Sequence, residues 1–285
     1  MSKRQPVGSG SKSSNASEEA IERAILALRM QRPAEAERVA AEVLKANRGH
    51  LRAAQVLGQA LLMQNRAAEA IEPLQRAARR SEDPALETLF ATALAAAGRG
   101  EEALEQLRRT TARRPPFPPA FVDYGKHLGR MGRFEEAIAA LDGAIASAPD
   151  AVELRKELAT LHLQRNHRGA ARATLLAALE IAPEHPDLLA GLAQVMLLDG
   201  DYNEAADIFR RVVALRPADA LARADLGRCL LEMGQREAGE ASIRQATRDR
   251  PQLLNRAITS LAVASRGRFF LRPSAAVNFL RGQKA

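Results

Sequence analysis

Tryptophan is absent from this sequence, aromatic residues make up only 4% of it, and Cys229 is its single cysteine. One cysteine excludes an intramolecular disulfide and a zinc site built on cysteines. No run of about 18 apolar residues occurs, so we expect no membrane-spanning helix. The basic residues 1–6 are not followed by an apolar stretch, which argues against a secretory signal. These absences favour a protein of the reducing cytoplasm.

Acidic residues are missing from both ends of the chain. Residues 1–16 contain three cations and residues 266–285 contain five, so these two segments account for the whole net charge of +8. The sequence between them, residues 17–265, is charge-balanced, which argues against a nucleic-acid-binding surface there. Binding of nucleic acid or of an anionic surface through the two basic tails stays an alternative.

The apolar residues, 46% of the chain, are mostly alanine and leucine. These are the two best helix formers among apolar residues, so the composition predicts an all-α protein. Residues 133–137, Arg-Phe-Glu-Glu-Ala, are one of seven related segments that each end in a small residue, the fifth and seventh of them being weaker copies. Their spacing is 34 residues, with a single interval of 33. The copies end at Ala36, Ala70, Ala103, Ala137, Ala171, Ala205 and Gly239.

Turn residues divide each copy into two helices. Prolines, which cannot continue a helix, follow five of the copies: Pro115, Pro149, Pro183, Pro217 and Pro251. Glycines mark the turn inside four copies: Gly98, Gly132, Gly200 and Gly234. Each copy is therefore predicted to be two helices joined by a turn.

The eighth residue of each copy is also small, which allows two helices to approach closely. These residues are Ala24, Gly58, Ala91, Gly125, Ala159, Ala193 and Gly227. In this pattern the chain resembles the tetratricopeptide repeat family, whose 34-residue unit is a helix–turn–helix. The resemblance implies an all-α, right-handed solenoid of about seven repeats plus a C-terminal capping helix.

Departures from the family pattern occur at two places in the copies. The fourth residue, often tryptophan in the family, is here Ala20, Ala54, Glu87, Phe121, Arg155, Leu189 and Arg223. Arg48 stands at the end of the first copy, where a proline is expected. A divergent first copy fits an end repeat with one solvated face.

Three kinds of segment are expected along the chain. Residues 1–16 read as a disordered basic tail, residues 253–265 as the capping helix, and residues 266–285 as a basic, aromatic extension. The seven tetratricopeptide repeats span residues 17–252, with approximate bounds 17–50, 51–83, 84–117, 118–151, 152–185, 186–219 and 220–253.

No arrangement of residues in the sequence points to catalysis. The five histidines include no pair at the i, i+4 spacing of a helical metal site. Residues 8–13 lack the glycine that precedes the lysine of a phosphate-binding loop. Paired arginines on second helices could contact phosphates, but neighbouring acids favour a solvated helix surface. We therefore predict that the chain is not an enzyme and has no metal, no cofactor and no small-molecule substrate.

In this family the first helices of the repeats line a concave groove, which the resemblance makes the candidate binding site. The candidate peptide-binding residues are Arg52, Gln55, Gln59, Thr92, Lys126, Arg130, Lys156, Gln164, Gln194 and Arg228. The glutamines could hydrogen-bond an extended backbone, and Lys126, Arg130 and Lys156 could hold acid groups. An ordinary polar surface is the alternative.

The expected function is a protein–protein interaction scaffold whose partner is a protein or peptide, an acidic one where those cations bind it. An accessory subunit of a separately encoded transferase is the alternative hypothesis. Phe269, Phe270 and Phe279 are candidates for docking the tail on a partner. Folding back onto the last helix and contact with an anionic membrane surface are the other two interpretations.

Overall fold

The computed structural model describes residues 9–264, 267 and 273–282 of the chain. Every regular element in these residues is a helix, which confirms the all-α fold predicted from the sequence. Outside the described part lie residues 1–8 of the basic tail, Phe269 and Phe270.

The chain divides into two compact units, residues 1–148 and 149–285. The first unit contains four helical pairs: α1 (Ser9–Arg29), α2 (Pro33–Ala46), α3 (Leu51–Met63), α4 (Ala67–Arg80), α5 (Pro84–Ala96), α6 (Gly100–Thr111), α7 (Pro118–Arg130) and α8 (Phe134–Ser147). Each odd-numbered helix is the first helix of a repeat, and the following even-numbered helix is the second.

The second unit contains three further pairs and a C-terminal cap. The pairs are α9 (Val152–Gln164), α10 (Arg168–Ile181), α11 (Pro186–Asp199), α12 (Tyr202–Leu215), α13 (Ala220–Glu232) and α14 (Arg236–Asp249). A single 3-10 turn and two helices follow: Pro251–Leu253, α15 (Leu254–Val263) and α16 (Pro273–Arg281).

The turn within every pair contains one residue in the left-handed region, always the fifteenth of its copy. These residues are Gln31, Asn65, Gly98, Gly132, Asn166, Gly200 and Gly234, with φ between 57° and 90°. The next residue donates its N–H back into the first helix, as Arg99 does to the carbonyl oxygen of Leu94 at 2.9 Å. This bond satisfies a carbonyl that the helix end would otherwise leave unpaired. Glycine is thus only the commonest of three residue types at this turn.

The small residues predicted to lie between helices form the core of each pair. The last residue of the repeated pattern is fully buried in six copies, Ala137 among them, and the residue four positions later fills the space beside it. Leu74 shows how tight this contact is, because a Cβ built on Gly58 would lie 2.7 Å from its side-chain carbons. The small eighth residue therefore makes room for the bulky side chain of the second helix.

Helix α1 begins at Ser9, so residues 9–16 are helical where the sequence suggested a disordered tail. Their serine- and glycine-rich composition has no apolar face of its own. Ile21 and Ala24, however, are buried against α2 and hold the later turns of α1 in place. Extending an existing helix requires no new nucleation, so the polar residues continue it toward the N-terminus.

The chain folds back on itself after α15. Ala276 and Leu280 of α16 are buried, and Leu280 joins a cluster with Ile243 of α14 and Leu261 of α15. Phe279 packs against the same cluster, and the guanidinium of Arg244 lies 5.1 Å from its ring centroid. Helix α16 therefore adds a second helix to the C-terminal cap, and Phe279 is folded back onto α14 and α15.

Candidate functional site

In each unit the first helices lie side by side. Helix α3 contacts α1 and α5, and α7 contacts α5; in the second unit α11 contacts α9 and α13. All ten candidate peptide-binding residues are on first helices: Arg52, Gln55 and Gln59 on α3, Thr92 on α5, Lys126 and Arg130 on α7, Lys156 and Gln164 on α9, Gln194 on α11, and Arg228 on α13.

Arg52 is occupied by contacts within the first unit. Its Nη1 donates to Glu18 at 2.6 Å and its Nη2 donates to Glu22 at 2.5 Å, both carboxylates being on α1. The hydrogen bond to Glu22 is the largest cause of the raised pKa of Arg52. This guanidinium therefore joins neighbouring first helices and is not a free cation for a ligand.

Lys156 is likewise occupied within the second unit. Its ammonium pairs with Glu153 one turn earlier and lies 3.3 Å from the carboxylate of Asp187 on α11. Asp187 also binds Arg216. Partial burial acts to lower the pKa of Lys156, but the two carboxylates outweigh it and raise the pKa. Lys156 thus belongs to an internal ion-pair network between α9 and α11.

Four side chains of the first unit keep most of their hydrogen-bonding capacity. Gln55 and Gln59 are half-buried, and their amides make no hydrogen bond within the described residues. Arg130 is exposed and has no ion-pair partner there, and Lys126 is held only by Asp123 at 3.7 Å. Together with Thr92, which lies between them on α5, these residues are called the first-helix row below.

Thr92 stands on α5, the helix between the two ends of the first-helix row. Its hydroxyl donates to the carbonyl oxygen of Thr88 at 3.0 Å and lies 3.5 Å from the carboxylate of Asp123 on α7. The hydroxyl retains acceptor capacity, because a threonine oxygen has two lone pairs. The row therefore offers amide, hydroxyl and cationic groups on three adjacent helices.

The equivalent residues of the second unit are less available as a set. Gln164 is exposed and Gln194 is half-buried, and neither side chain makes a hydrogen bond within the described residues. Arg228 is half-buried, and its Nε is a buried atom that has no hydrogen-bond partner among the residues that the structure describes. With Lys156 engaged internally, this unit presents amides but few free cations on its first helices.

Sequence reasoning missed the role of the fourth residue of each copy. Glu87 is only 6% exposed and accepts two hydrogen bonds from Arg113, from Nε at 2.8 Å and from Nη2 at 2.5 Å. Arg155 and Arg223 donate to the carbonyl oxygens of Pro149 and Pro217. Charged side chains therefore anchor the inter-repeat loops where the family often has tryptophan. The only sequence signal was the departure itself.

Three further properties follow from the described part of the chain, and they concern metal ligation, the thiol of Cys229 and membrane insertion. No group of three or more His, Cys, Asp or Glu side chains is placed there to hold a metal ion. Cys229 is fully buried, and burial is the main cause that raises its pKa to about 12. None of the described helices combines the length and apolarity that crossing a bilayer requires.

Family models described as tetratricopeptide repeat match most of the sequence. One matches residues 21–84 and 88–151, and another matches residues 130–195 and 196–261. Because these matches together cover well over half of the chain, it belongs to the tetratricopeptide repeat family. No curated protein matches the sequence.

Solved structures of low sequence identity share the fold. A tetratricopeptide repeat protein from Parabacteroides merdae has a TM-score of 0.63 at 15% identity, over 86% of this chain and 98% of that one. Human IFIT1, solved as a dimer with m7Gppp-AAAA, has a TM-score of 0.64 at 14% identity, over 86% and 63%. PilW, a type IV pilus biogenesis factor, has a TM-score of 0.59 at 18% identity, over 71% and 94%. Identities this low establish the fold alone.

Membership in the family carries a general function. Tetratricopeptide repeat proteins typically mediate protein–protein interactions by binding protein or peptide partners, and they are generally non-catalytic scaffolds.

Proposed function

We propose that this chain is a non-catalytic scaffold that binds an extended segment of a partner protein along the first-helix row. The observation that carries the proposal is a contrast among first-helix side chains. Arg52 and Lys156 are neutralised by internal carboxylates, whereas Gln55, Gln59 and Arg130 have no partner within the described residues. Polar groups left unpaired on the surface of a folded protein are those that a ligand can satisfy.

The two glutamines suit a peptide backbone. Gln55 and Gln59 are one helical turn apart, so their side chains project from the same face of α3. Each carboxamide has two N–H donors and a carbonyl acceptor, which allows it to pair with both polar groups of one peptide unit. Because the glutamines are half-buried, an extended peptide laid along them also covers apolar surface beside them.

The cations at the other end of the row suit an acidic group. Arg130 offers a complete guanidinium, which binds a carboxylate through two parallel hydrogen bonds. Lys126 is held by a single surface ion pair, a contact worth about 0–1 kcal/mol, so it can exchange Asp123 for a carboxylate of the ligand. The proposed ligand is therefore an extended segment with an acidic residue near α7.

A peptide selection tests this proposal without knowledge of the natural partner. Random dodecapeptides displayed on phage are selected against the full chain, and affinities of the enriched peptides are measured by fluorescence anisotropy. We expect acidic residues to be enriched. Arg130→Ala should weaken binding by about ten- to a hundred-fold, and Gln59→Ala by about ten-fold, because each removes hydrogen bonds to the ligand.

Arg38→Ala is the matched control, since Arg38 is an exposed arginine on the second helix α2 whose ion pair is with Glu42. It should leave peptide affinity unchanged. Peptides that bind equally well to the wild type and to a Gln55/Gln59/Arg130 triple alanine variant would place the binding site elsewhere.

A further inference from the structure

A small pocket of about 60 Å³ lies where the α2–α3 loop meets α4. Three arginines line it, Arg48 from the loop and Arg76 and Arg80 from α4. Leu44 and Leu51 contribute apolar wall, and none of the described residues that line the pocket is a carboxylate. The pocket shares no residue with the first-helix row.

Two of these arginines are uncompensated. Arg76 pairs with Glu72, one turn earlier on α4. Arg48 and Arg80 are exposed and make no ion pair or hydrogen bond with a described residue. The carbonyl groups at the C-terminus of α4 attract Arg80, but a helix end carries only about half a charge and lies on a different element from Arg48. About two positive charges therefore remain to be balanced.

In the second unit, an internal ion pair occupies the equivalent junction between an inter-repeat loop and a second helix. Arg211 on α12 has the repeat position that Arg76 has on α4. It donates to the carbonyl oxygen of Pro183 at 3.4 Å and pairs with Glu184 at 2.8 Å. Pro183 and Glu184 have the repeat positions of Arg48 and Gly49. The junction in the second unit thus has its own carboxylate, that of Glu184. In the first unit, glycine (Gly49) stands in place of that glutamate, and Arg48 stands in place of the proline.

Gly49 lets Arg80 approach the loop backbone closely. A Cβ at Gly49 would lie 3.3 Å from Nη1 of Arg80 and 3.4 Å from Oδ1 of Asn47. The absence of a side chain leaves room for the guanidinium of Arg80 against the loop. Helix α3 begins two residues later, at Leu51, and its N-terminus adds partial positive charge beside the pocket.

We propose that this pocket binds a phosphomonoester group. Such a group carries about −1.5 to −2 charges at pH 7, which matches the two uncompensated arginines, whereas one carboxylate would balance only one. Guanidinium groups bind phosphate oxygens through pairs of parallel N–H donors. A site for one water molecule needs about 10–15 Å³, so the pocket has room for about four to six water-sized atoms. A phosphoryl group, with one phosphorus and its oxygens, is of that size.

Calorimetry on the full chain in phosphate-free buffer at low ionic strength tests the site, with inorganic phosphate as the probe. Arg48→Gln and Arg80→Gln should each weaken phosphate binding by about ten-fold or more. Arg38→Gln, which changes a similarly exposed arginine of the same unit, should not. Equal affinities in the wild type and an Arg48/Arg80 double variant would overturn the proposal, as would the absence of measurable binding to the wild type.

A second variant gives this junction the carboxylate that Glu184 provides in the second unit. Gly49→Glu should place an internal carboxylate beside Arg76 and Arg80 and abolish phosphate binding, while the thermal midpoint stays the same or rises. Undiminished phosphate binding by this folded variant would overturn the assignment of the pocket.

A phosphoserine peptide and its unphosphorylated form identify the source of the group. Tighter binding of the phosphopeptide than of inorganic phosphate supports a phosphorylated protein side chain as the natural ligand. Equal affinity of the phosphopeptide and of inorganic phosphate supports free phosphate as the natural ligand. Either of these two results supports the assignment of the pocket as a phosphate site. Equal binding of the phosphorylated and unphosphorylated peptides, with no response to inorganic phosphate, would overturn it.

Discussion

Gly227 and Gly239 bring the backbones of α13 and α14 into direct contact. A Cβ on Gly227 would lie 2.9 Å from the carbonyl oxygen of Gly239, and a Cβ on Gly239 would lie 2.8 Å from the carbonyl oxygen of Gly227. The seventh copy is the only one with glycine at both its eighth and its twentieth residue. The close approach of these helices therefore depends on the absence of two side chains.

Gly227→Ala should destabilise the protein. The added methyl group gains up to about 1 kcal/mol of helix propensity, but it collides with backbone that cannot move independently, at a cost of typically 1–3 kcal/mol. We expect a net loss of about 1–2 kcal/mol in chemical denaturation. Gly143→Ala on α8 is the control, because a Cβ there meets nothing within 4 Å, and it should gain about 0.5–1 kcal/mol. An unchanged midpoint for Gly227→Ala would show that the two helices can move apart at little cost.

The repeat and its two helices were predictable from the sequence because they depend on local and periodic features. A small eighth residue and a small twentieth residue occur in all seven copies, and a proline follows the second helix in five of them; each of these features has one physical role. The register they set agrees with the contact between Gly58 and Leu74. Whether the aromatic extension folds back was left open by the sequence, because Phe279 packs against residues of α14 and α15 that only the tertiary fold brings together.

The ion pairs of the candidate site could not be read from the sequence. Arg52 and Glu18 are 34 residues apart, and Lys156 and Asp187 are 31 apart, so only the packing of neighbouring repeats brings them together. The sequence showed a row of polar residues on first helices. It could not distinguish Arg52 and Lys156, which are neutralised by carboxylates on first helices, from Arg130, which has no such partner among the described residues.

Gln31→Gly should stabilise the protein. Gln31 has φ 58° at the turn between α1 and α2, where four other copies have glycine. A residue with a Cβ is strained in the left-handed region by roughly 1–2 kcal/mol, and part of this is offset by the greater freedom of glycine in the unfolded chain. Denaturant titration should show a gain of about 0.5–1 kcal/mol.

Asn65→Gly provides the comparison, since asparagine tolerates the left-handed conformation better than glutamine. Its gain should be the smaller of the two. A loss of stability in Gln31→Gly would mean that the glutamine side chain makes a compensating contact.

Arg256→Gln should destabilise the C-terminal cap in a pH-dependent way. Asp225 is 5% exposed and accepts a hydrogen bond from Nη2 of Arg256 at 2.6 Å. Removing one partner of a buried pair costs about 3–5 kcal/mol, and we expect about 1–3 kcal/mol because the Arg256 side chain is 45% exposed. Asp225→Asn in the same background should recover most of the loss, because the unpaired charge is then gone.

The pH dependence follows from the direction of the pKa shift of Asp225. Burial is the main cause that raises this pKa above 3.8, and Arg256 opposes it. The folded state therefore holds the proton at pH values where the unfolded chain has lost it, so this group's contribution to stability is fully present below pH 3.8 and falls as pH rises through the folded pKa. Arg256→Gln raises that pKa further, so its cost should be larger at pH 7 than at pH 5. A cost independent of pH would mean that Asp225 does not titrate in this range.

Lys156→Ala separates the internal ion-pair network from the proposed binding row. Its partners Glu153 and Asp187 are partly exposed, so the loss of stability should be at most about 1 kcal/mol. Affinity for the selected peptides should stay within about two-fold of the wild type, in contrast to Arg130→Ala. A ten-fold loss of affinity would show that Lys156 leaves its carboxylates to bind the ligand.

Cys229 should react with thiol reagents only when the protein opens. Its pKa of about 12 leaves roughly one molecule in ten thousand as thiolate at pH 8, and the side chain is fully buried. Labelling by iodoacetamide should therefore be slow in the native protein and fast in denaturant. Because Gly227 lies two residues away on α13, Gly227→Ala should accelerate native labelling by about ten-fold for each 1.4 kcal/mol it destabilises, provided that closing is faster than labelling. A rate that does not change in this variant would mean that α13 exposes Cys229 through a local opening in which the contact between Gly227 and Gly239 is preserved.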